Sequence, residues 1–121
     1  MPRGGNQSDA HSCLIASVRD YLKVRGAFVY KVWGNAFGKG GMPDSISALP
    51  VWLGGRRVAV WVAVECKTGS ATLTKLQREV KAELEAAGVL YVVCRQLEDL
   101  EDALVDAGLV EYRALLVRRS G

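Results

Sequence analysis

The sequence predicts an α/β protein in which helices flank a central mixed sheet. Apolar residues recur at helical spacing between Ser8 and Arg25 and again between Thr74 and Ala87. Between these two segments, the β-branched run from Val58 to Val64 is long enough for a buried strand. Because strand-forming and helical patterns alternate along the chain, a sheet covered by helices follows from pattern alone.

Each predicted element has a local signal. Gly26 ends the first helix, and Gly88 ends the second as a C-terminal cap. The pair Gly54-Gly55 is a hairpin signal between two strands. The run from Val89 to Arg95 has little polar content, which favours an interior strand. The predicted order is αβββαβα, with helix 8–25, strands 27–33, 45–53 and 57–67, helix 74–87, strand 89–95, helix 97–107 and a last short strand 112–117.

Length and composition favour a single folded domain. The chain has 121 residues, of which 50% are hydrophobic, enough for one core and too many for disorder. We expect residues 1–7 to form a flexible tail and residues 8–121 the domain. No apolar run reaches membrane-spanning length, and no signal peptide precedes Ser8. Three cysteines without metal-type spacing favour a reducing, cytoplasmic setting, and the net charge of +3 permits a polyanionic partner.

Charged residues at the end of the longest apolar run indicate a catalytic site. Glu65 and Lys67 project from the same side of the predicted strand, while Cys66 points away. Two carboxylates, Asp44 and Glu65, can hold a hard divalent cation such as Mg²⁺ or Mn²⁺, and the Cys66 backbone carbonyl is a natural further ligand. Lys67 would then polarise a phosphate or an attacking water, as in metal-dependent phosphodiester hydrolysis.

These residues resemble a known motif. Pro43-Asp44 followed by Glu65-x-Lys67 resembles the PD-(D/E)XK nuclease motif. Further pieces in the same order resemble the virus-type replication-repair nuclease (VRR-NUC) family. They are Tyr21 to Gly26, Lys31-x-x-Gly34-Asn35, Gly38 to Gly41, Leu73-Thr74-x-x-Gln77, Gly88 and Leu97 to Leu100.

The resemblance implies a restriction-endonuclease-like αβββαβ core and a metal-dependent, structure-selective DNA endonuclease of the Holliday-junction resolvase type. Symmetric junctions call for two active sites, so we expect a homodimer, with Trp52, Leu53 and the segment 110–117 as candidate contacts. A phage or mobile-element source is consistent with a domain of this size. The alternatives are a catalytically impaired module that binds branched DNA, and an unrelated α/β domain.

Gln77 and His11 each allow more than one interpretation. Thr74-x-x-Gln77 is a capping-box signature, whereas the resemblance implies that Gln77 lies near the metal and the lysine. Where the family carries a glutamate on its first helix, this chain has His11, a poor ligand for magnesium. The sequence therefore leaves three interpretations of His11 open. It is a metal ligand, a partly buried hydrogen-bonding residue, or part of a frayed helix start at which Asp9 substitutes for it.

A set of basic, aromatic and amide residues is the candidate nucleic-acid face. Basic side chains would neutralise phosphates, and a tryptophan can stack on a base. Ordinary solvated charge and a core tryptophan are the alternative interpretation. The set is Lys31, Trp33, Asn35, Lys39, Arg56 and Arg57.

Overall fold

The predicted order αβββαβα is confirmed by the computed structural model, which describes residues 4–32 and 40–110. In chain order the elements are α1 (Gly4–Val24), β1 (Phe28–Lys31), β2 (Ser45–Leu53), β3 (Arg56–Cys66), α2 (Lys75–Ala86), β4 (Leu90–Cys94) and α3 (Leu97–Asp106). Within those residues, no helix is long and apolar enough to cross a bilayer.

Two boundaries differ from the prediction by more than one residue. Helix α1 begins at Gly4, so residues 4–7, which we expected in the tail, are helical. No proline interrupts this segment, but Gly4 and Gly5 are poor helix formers, which is why the sequence did not predict a helix here. Strand β1 is shorter than expected and ends at Lys31. The predicted last strand, 112–117, lies outside the described residues.

The sheet is mixed and has the order β1-β2-β3-β4. Strands β1, β2 and β3 are antiparallel neighbours, and β4 runs parallel to β3. The tight turn between β2 and β3 places Gly54 and Gly55 at positive φ, as the hairpin signal predicts. The start of β2 therefore lies beside the end of β3, with Ser45 opposite Val64.

The two faces of the sheet are covered unequally. On one face α1 and α3 enclose the core, in which Val62, Val64 and Cys66 of β3 are at most 1% exposed. Cys94, paired with Cys66 in the parallel ladder, is also buried there, so both cysteines are small core residues. On the opposite face α2 packs on β4, and its Val80 is buried.

Candidate active site

The carboxylate of Asp44 meets the end of β3 because of the antiparallel pairing of β2 and β3. Asp44 directly precedes Ser45, the first residue of β2, and its carboxylate Oδ2 accepts a hydrogen bond of 2.7 Å from the backbone N–H of Cys66. Its own carbonyl accepts from the N–H of Val32, which extends the β1–β2 ladder by one bond. Both the side chain and the backbone of Asp44 are therefore fixed by strands.

The segment before Asp44 packs closely against the start of α2. Gly41 has φ +82°, and a Cβ on it would lie 2.7 Å from the backbone of Leu76. Only glycine fits this conformation and approach without strain. Pro43, directly before Asp44, is buried as well, so packing holds this segment in place at both Gly41 and Pro43. The glycine-rich signal of the sequence therefore has a structural cause at Gly41.

Glu65 is a buried carboxylate with two partners. It is 4% exposed, and its Oε2 accepts from Gln77 Nε2 at 3.2 Å and lies 3.6 Å from Lys67 Nζ. Burial, followed by the nearby charge of Asp44, raises its pKa from 4.5 to about 7, although Lys67 and His11 act in the opposite direction. The site thus holds a carboxylate whose ionised form is strongly destabilised in the absence of a further cation.

Gln77 takes part in the helix cap and also contacts the candidate site. Thr74 Oγ1 accepts from the N–H of Gln77 at 3.1 Å, and Gln77 Oε1 accepts from the N–H of Thr74 at 2.9 Å, which completes a capping box. The amide nitrogen of the same side chain donates to Glu65. The helix cap thereby fixes the orientation of the group that holds Glu65.

His11 reaches the site from α1. Its Nε2 lies 3.0 Å from the carbonyl oxygen of Cys66 and 3.9 Å from Asp44 Oδ2. A carbonyl oxygen only accepts, so His11 makes this hydrogen bond as the tautomer that carries the proton on Nε2. The arrangement matches the interpretation of His11 as a partly buried hydrogen-bonding residue.

The donor set at this end of the sheet suits a hard cation. Asp44 and Glu65 offer carboxylate oxygens and Cys66 offers a carbonyl oxygen, the ligand types that Mg²⁺ and Mn²⁺ accept. Burial and the nearby charge of Asp44 destabilise the ionised form of Glu65, which is a second sign of fit, because a bound cation would relieve this destabilisation. Across residues 4–32 and 40–110, no three His, Cys, Asp or Glu side chains form a metal-binding group. Water molecules would therefore complete the coordination of an ion held here.

Lys67 is held at the end of the sheet by backbone pairing. Its N–H donates to the carbonyl of Cys94, which continues the β3–β4 ladder, and its side chain is 14% exposed. The loop that follows is held by Arg95, whose guanidinium donates to the carbonyls of Gly69 and Ala71 at 3.2 and 2.6 Å. Sequence reasoning did not single out Arg95, because a basic residue after an apolar strand has no distinguishing signal.

Tyr91 is a second residue that the sequence analysis missed. It pairs with Ala63 and projects from the same sheet face as Glu65. It is 7% exposed, its hydroxyl has no hydrogen-bond partner among the described residues, and Lys81 Nζ lies 5.8 Å from its ring centroid. Burial, then the charges of Glu65 and Asp44, raise its pKa to about 12. A hydroxyl within an otherwise apolar strand was the available signal.

The three candidate nucleic-acid residues that the structure describes do not form one group. Lys31 is exposed and pairs with Ser45, next to Asp44. Arg56 and Arg57 are exposed at the far end of the hairpin, and the rise of β3 separates Arg57 from Glu65 by about 26 Å. The remaining three, Trp33, Asn35 and Lys39, lie outside the described residues.

Comparison with known proteins identifies the fold. A solved structure titled "VRR_NUC domain" matches with a TM-score of 0.60 and 18% sequence identity, covering 80% of this chain and 95% of that chain. No family model and no curated protein matches the sequence. The four-stranded mixed sheet with its three helices is thus a VRR-NUC, restriction-endonuclease-like fold, and the resemblance read from the motifs is confirmed at the level of fold.

Proposed function

We propose that the protein is a divalent-metal-dependent DNA endonuclease that hydrolyses phosphodiester bonds. The observation that carries the proposal is the meeting of Asp44, Glu65 and Lys67 at one end of the sheet of a VRR-NUC fold. Two acids and a buried cationic side chain in a fixed arrangement are the groups that such hydrolysis requires.

Asp44, Glu65 and the Cys66 carbonyl would hold Mg²⁺ or Mn²⁺. When bound, the ion supplies positive charge that neutralises the phosphate and lowers the pKa of a water ligand. The ion pair with Glu65 keeps the ammonium of Lys67 next to the carboxylates, where it can orient the attacking water and stabilise developing negative charge. Gln77 holds Glu65 in place, so the positions of these groups do not depend on substrate.

We further propose that the substrate is branched DNA, including four-way junctions, and that the protein acts as a homodimer. The exposure of Trp52 and Leu53 at the hairpin, 72% and 69%, supports these residues as contacts, together with the segment 110–117. Sedimentation at micromolar concentration tests this, and a 13.1 kDa species both free and bound to a junction would contradict it. The free thiols Cys13, Cys66 and Cys94 support a reducing, cytoplasmic compartment.

The second candidate is a module that binds branched DNA without cutting it. The contact of His11 with the Cys66 carbonyl favours this candidate, because it engages an oxygen that a metal would use. The intact Asp44, Glu65 and Lys67 favour the nuclease.

A cleavage assay separates the two candidates. Plasmid, duplex, flap and four-way DNA are incubated with Mg²⁺, with Mn²⁺ and with EDTA. Asp44→Asn and Glu65→Gln should abolish metal-dependent cleavage, because each removes the charge that balances the ion while keeping side-chain volume, and both should still bind DNA. The matched controls are Asp102→Asn and Glu79→Gln, which change exposed acids away from the site. Cleavage by both site variants at the parental rate would refute the assignment, and junction binding without any parental cleavage would favour the binding module.

A further inference from the structure

Part of the sheet face that carries Glu65 is exposed and aromatic. Phe28 and Tyr30 of β1 and Trp61 of β3 are 68%, 55% and 47% exposed. Their positions in the strands place all three on the face opposite the core. We call these three residues the aromatic platform.

A small residue separates two of the platform's aromatic rings. Register places Ala48 between Phe28 and Trp61 in one row across the sheet, and the small residue leaves a trough between the two rings. Phe28 also lines a shallow depression that Arg57 lines as well. A depression lined by an aromatic ring and a basic side chain can hold a nucleobase.

The platform leads directly to the candidate active site. Trp61, Ala63 and Glu65 project from the same face of β3, and the rise of the strand places Trp61 about 13 Å from Glu65. Tyr30 belongs to the row next to the site, because it is aligned with Ile46 and Ala63. A nucleic-acid strand whose backbone passes Glu65 and Lys67 would therefore continue across the platform.

We propose that the aromatic platform binds an unpaired DNA strand by stacking on its bases. The inference rests on the proposed nuclease function and narrows its substrate, within branched DNA, to forms with a single-stranded segment next to the scissile bond, such as flaps, in preference to fully paired four-way junctions. Charge agrees with this occupant, because Arg57 is the charged side chain on the exposed part of this face, among described residues, and no Asp or Glu lies there. Stacking is tolerant of sequence, as expected of a structure-selective enzyme.

A second copy of the chain fits this face less well. The platform begins one row from Glu65, so a copy lying flat on it would obstruct access to the carboxylates. A single strand leaves that access open, since the strand is itself the substrate. At the hairpin, Trp52 is aligned with Arg57 and projects from the platform face, about 13 Å along β3 from Trp61, whereas Leu53 projects from the opposite face. Self-association through the tip of the hairpin would leave the rows of Phe28, Tyr30 and Trp61 open to a DNA strand.

The test measures binding without cleavage. Fluorescence anisotropy in EDTA compares a fluorescein-labelled oligothymidylate with a blunt duplex, using the parent, Phe28→Ala and Trp61→Ala. Each alanine should weaken oligothymidylate binding by about 5- to 150-fold, the range for losing one stacked base, and leave duplex binding unchanged. Phe28→Tyr and Trp61→Phe keep an aromatic ring and should keep the affinity. Val24→Ala is the matched control, because Val24 is 73% exposed at the end of α1, away from this face.

Three results would overturn the inference: unchanged oligothymidylate binding, equal losses for single strand and duplex, or loss of affinity in the aromatic-retaining variants. Sedimentation adds a fourth, in which Trp61→Ala converts a dimer to a monomer without changing oligothymidylate affinity, which would identify a self-association surface. If the parent shows metal-dependent cleavage when any of these results is obtained, only the platform inference fails and the nuclease proposal stands. Platform-dependent binding without cleavage by the parent would refute the nuclease proposal instead.

Discussion

In the absence of metal, we expect the protein to become less stable as pH rises from 4.5 to 7, and Glu65→Gln to remove this dependence. Glu65 titrates near 7 when folded and at its ordinary 4.5 when unfolded. Between these values the folded state holds a proton that the unfolded state has released, so the free energy of unfolding falls as pH rises. Above pH 7 the folded chain must keep an ionised, buried carboxylate beside Asp44.

The magnitude follows from the two pKa values. At about 1.4 kcal/mol per unit of pKa, the difference between 4.5 and about 7 corresponds to roughly 3 kcal/mol. No reduction for solvent screening applies, because the side chain is 6% exposed. Glu65→Gln also leaves Lys67 without its ion-pair partner, which adds an offset to the stability of the variant. The informative quantity is therefore the change with pH in the stability difference between variant and parent.

Urea unfolding in EDTA, followed by tryptophan fluorescence from pH 4.5 to 8, measures this quantity. The stability of Glu65→Gln relative to the parent should rise by roughly 3 kcal/mol across the range. Glu79→Gln, an exposed acid on α2, should follow the parent at every pH. Parallel curves of unfolding free energy against pH for Glu65→Gln and the parent would show that the Glu65 carboxyl is not buried beside a second acid. The proposed metal site would then lack the carboxylate destabilisation that a bound cation relieves.

Three further predictions concern neighbouring groups. Lys67→Ala should slow cleavage by roughly 10²- to 10⁴-fold with little effect on metal affinity measured by calorimetry, and a parental rate would make Lys67 a surface residue. Because Nε2 of His11 donates to a carbonyl, His11→Ala should leave the ratio of manganese- to magnesium-supported initial cleavage rates unchanged. His11→Glu should raise the magnesium-supported rate. A lower manganese-to-magnesium ratio in His11→Ala than in the parent would show that the ring is a metal ligand. Tyr91→Phe should keep or slightly raise stability in urea, since its hydroxyl has no hydrogen-bond partner among described residues, and a loss of about 1 kcal/mol or more would reveal one.

The sequence predicted those features that depend on local pattern. The strand Ser45–Leu53 was predicted with its observed limits, because alternation and the Gly54-Gly55 turn fix both ends. The meeting of Asp44 with Glu65 follows from that hairpin, since antiparallel pairing brings the start of one strand to the end of the next. The catalytic roles of these residues remain predictions until cleavage is measured.

The sequence could not predict which part of the sheet the helices leave exposed. Phe28 and Trp61 occur within strand patterns in which apolar residues are ordinarily assigned to a core, yet both are exposed. The cause is the length and position of α2, whose 12 residues span about 18 Å and pack on β4. Nothing in the local sequence of β1 or β3 encodes that limit, so the aromatic platform appears only once the sheet order is known.

Cys66 organises the site through its backbone, and its side chain takes no part. Its N–H donates to Asp44, its carbonyl accepts from His11, and its thiol lies in the core opposite Cys94. The backbone of one residue therefore connects a loop acid, a helix residue and the end of the sheet. Because side chains at this position point away from the carboxylates, substitutions there would act on the site through core packing and strand position. The geometry of the two acids is set by the β2–β3 pairing and by the hydrogen bond from Gln77, and that is why a carboxyl group as buried as that of Glu65 stays in place before a cation is bound.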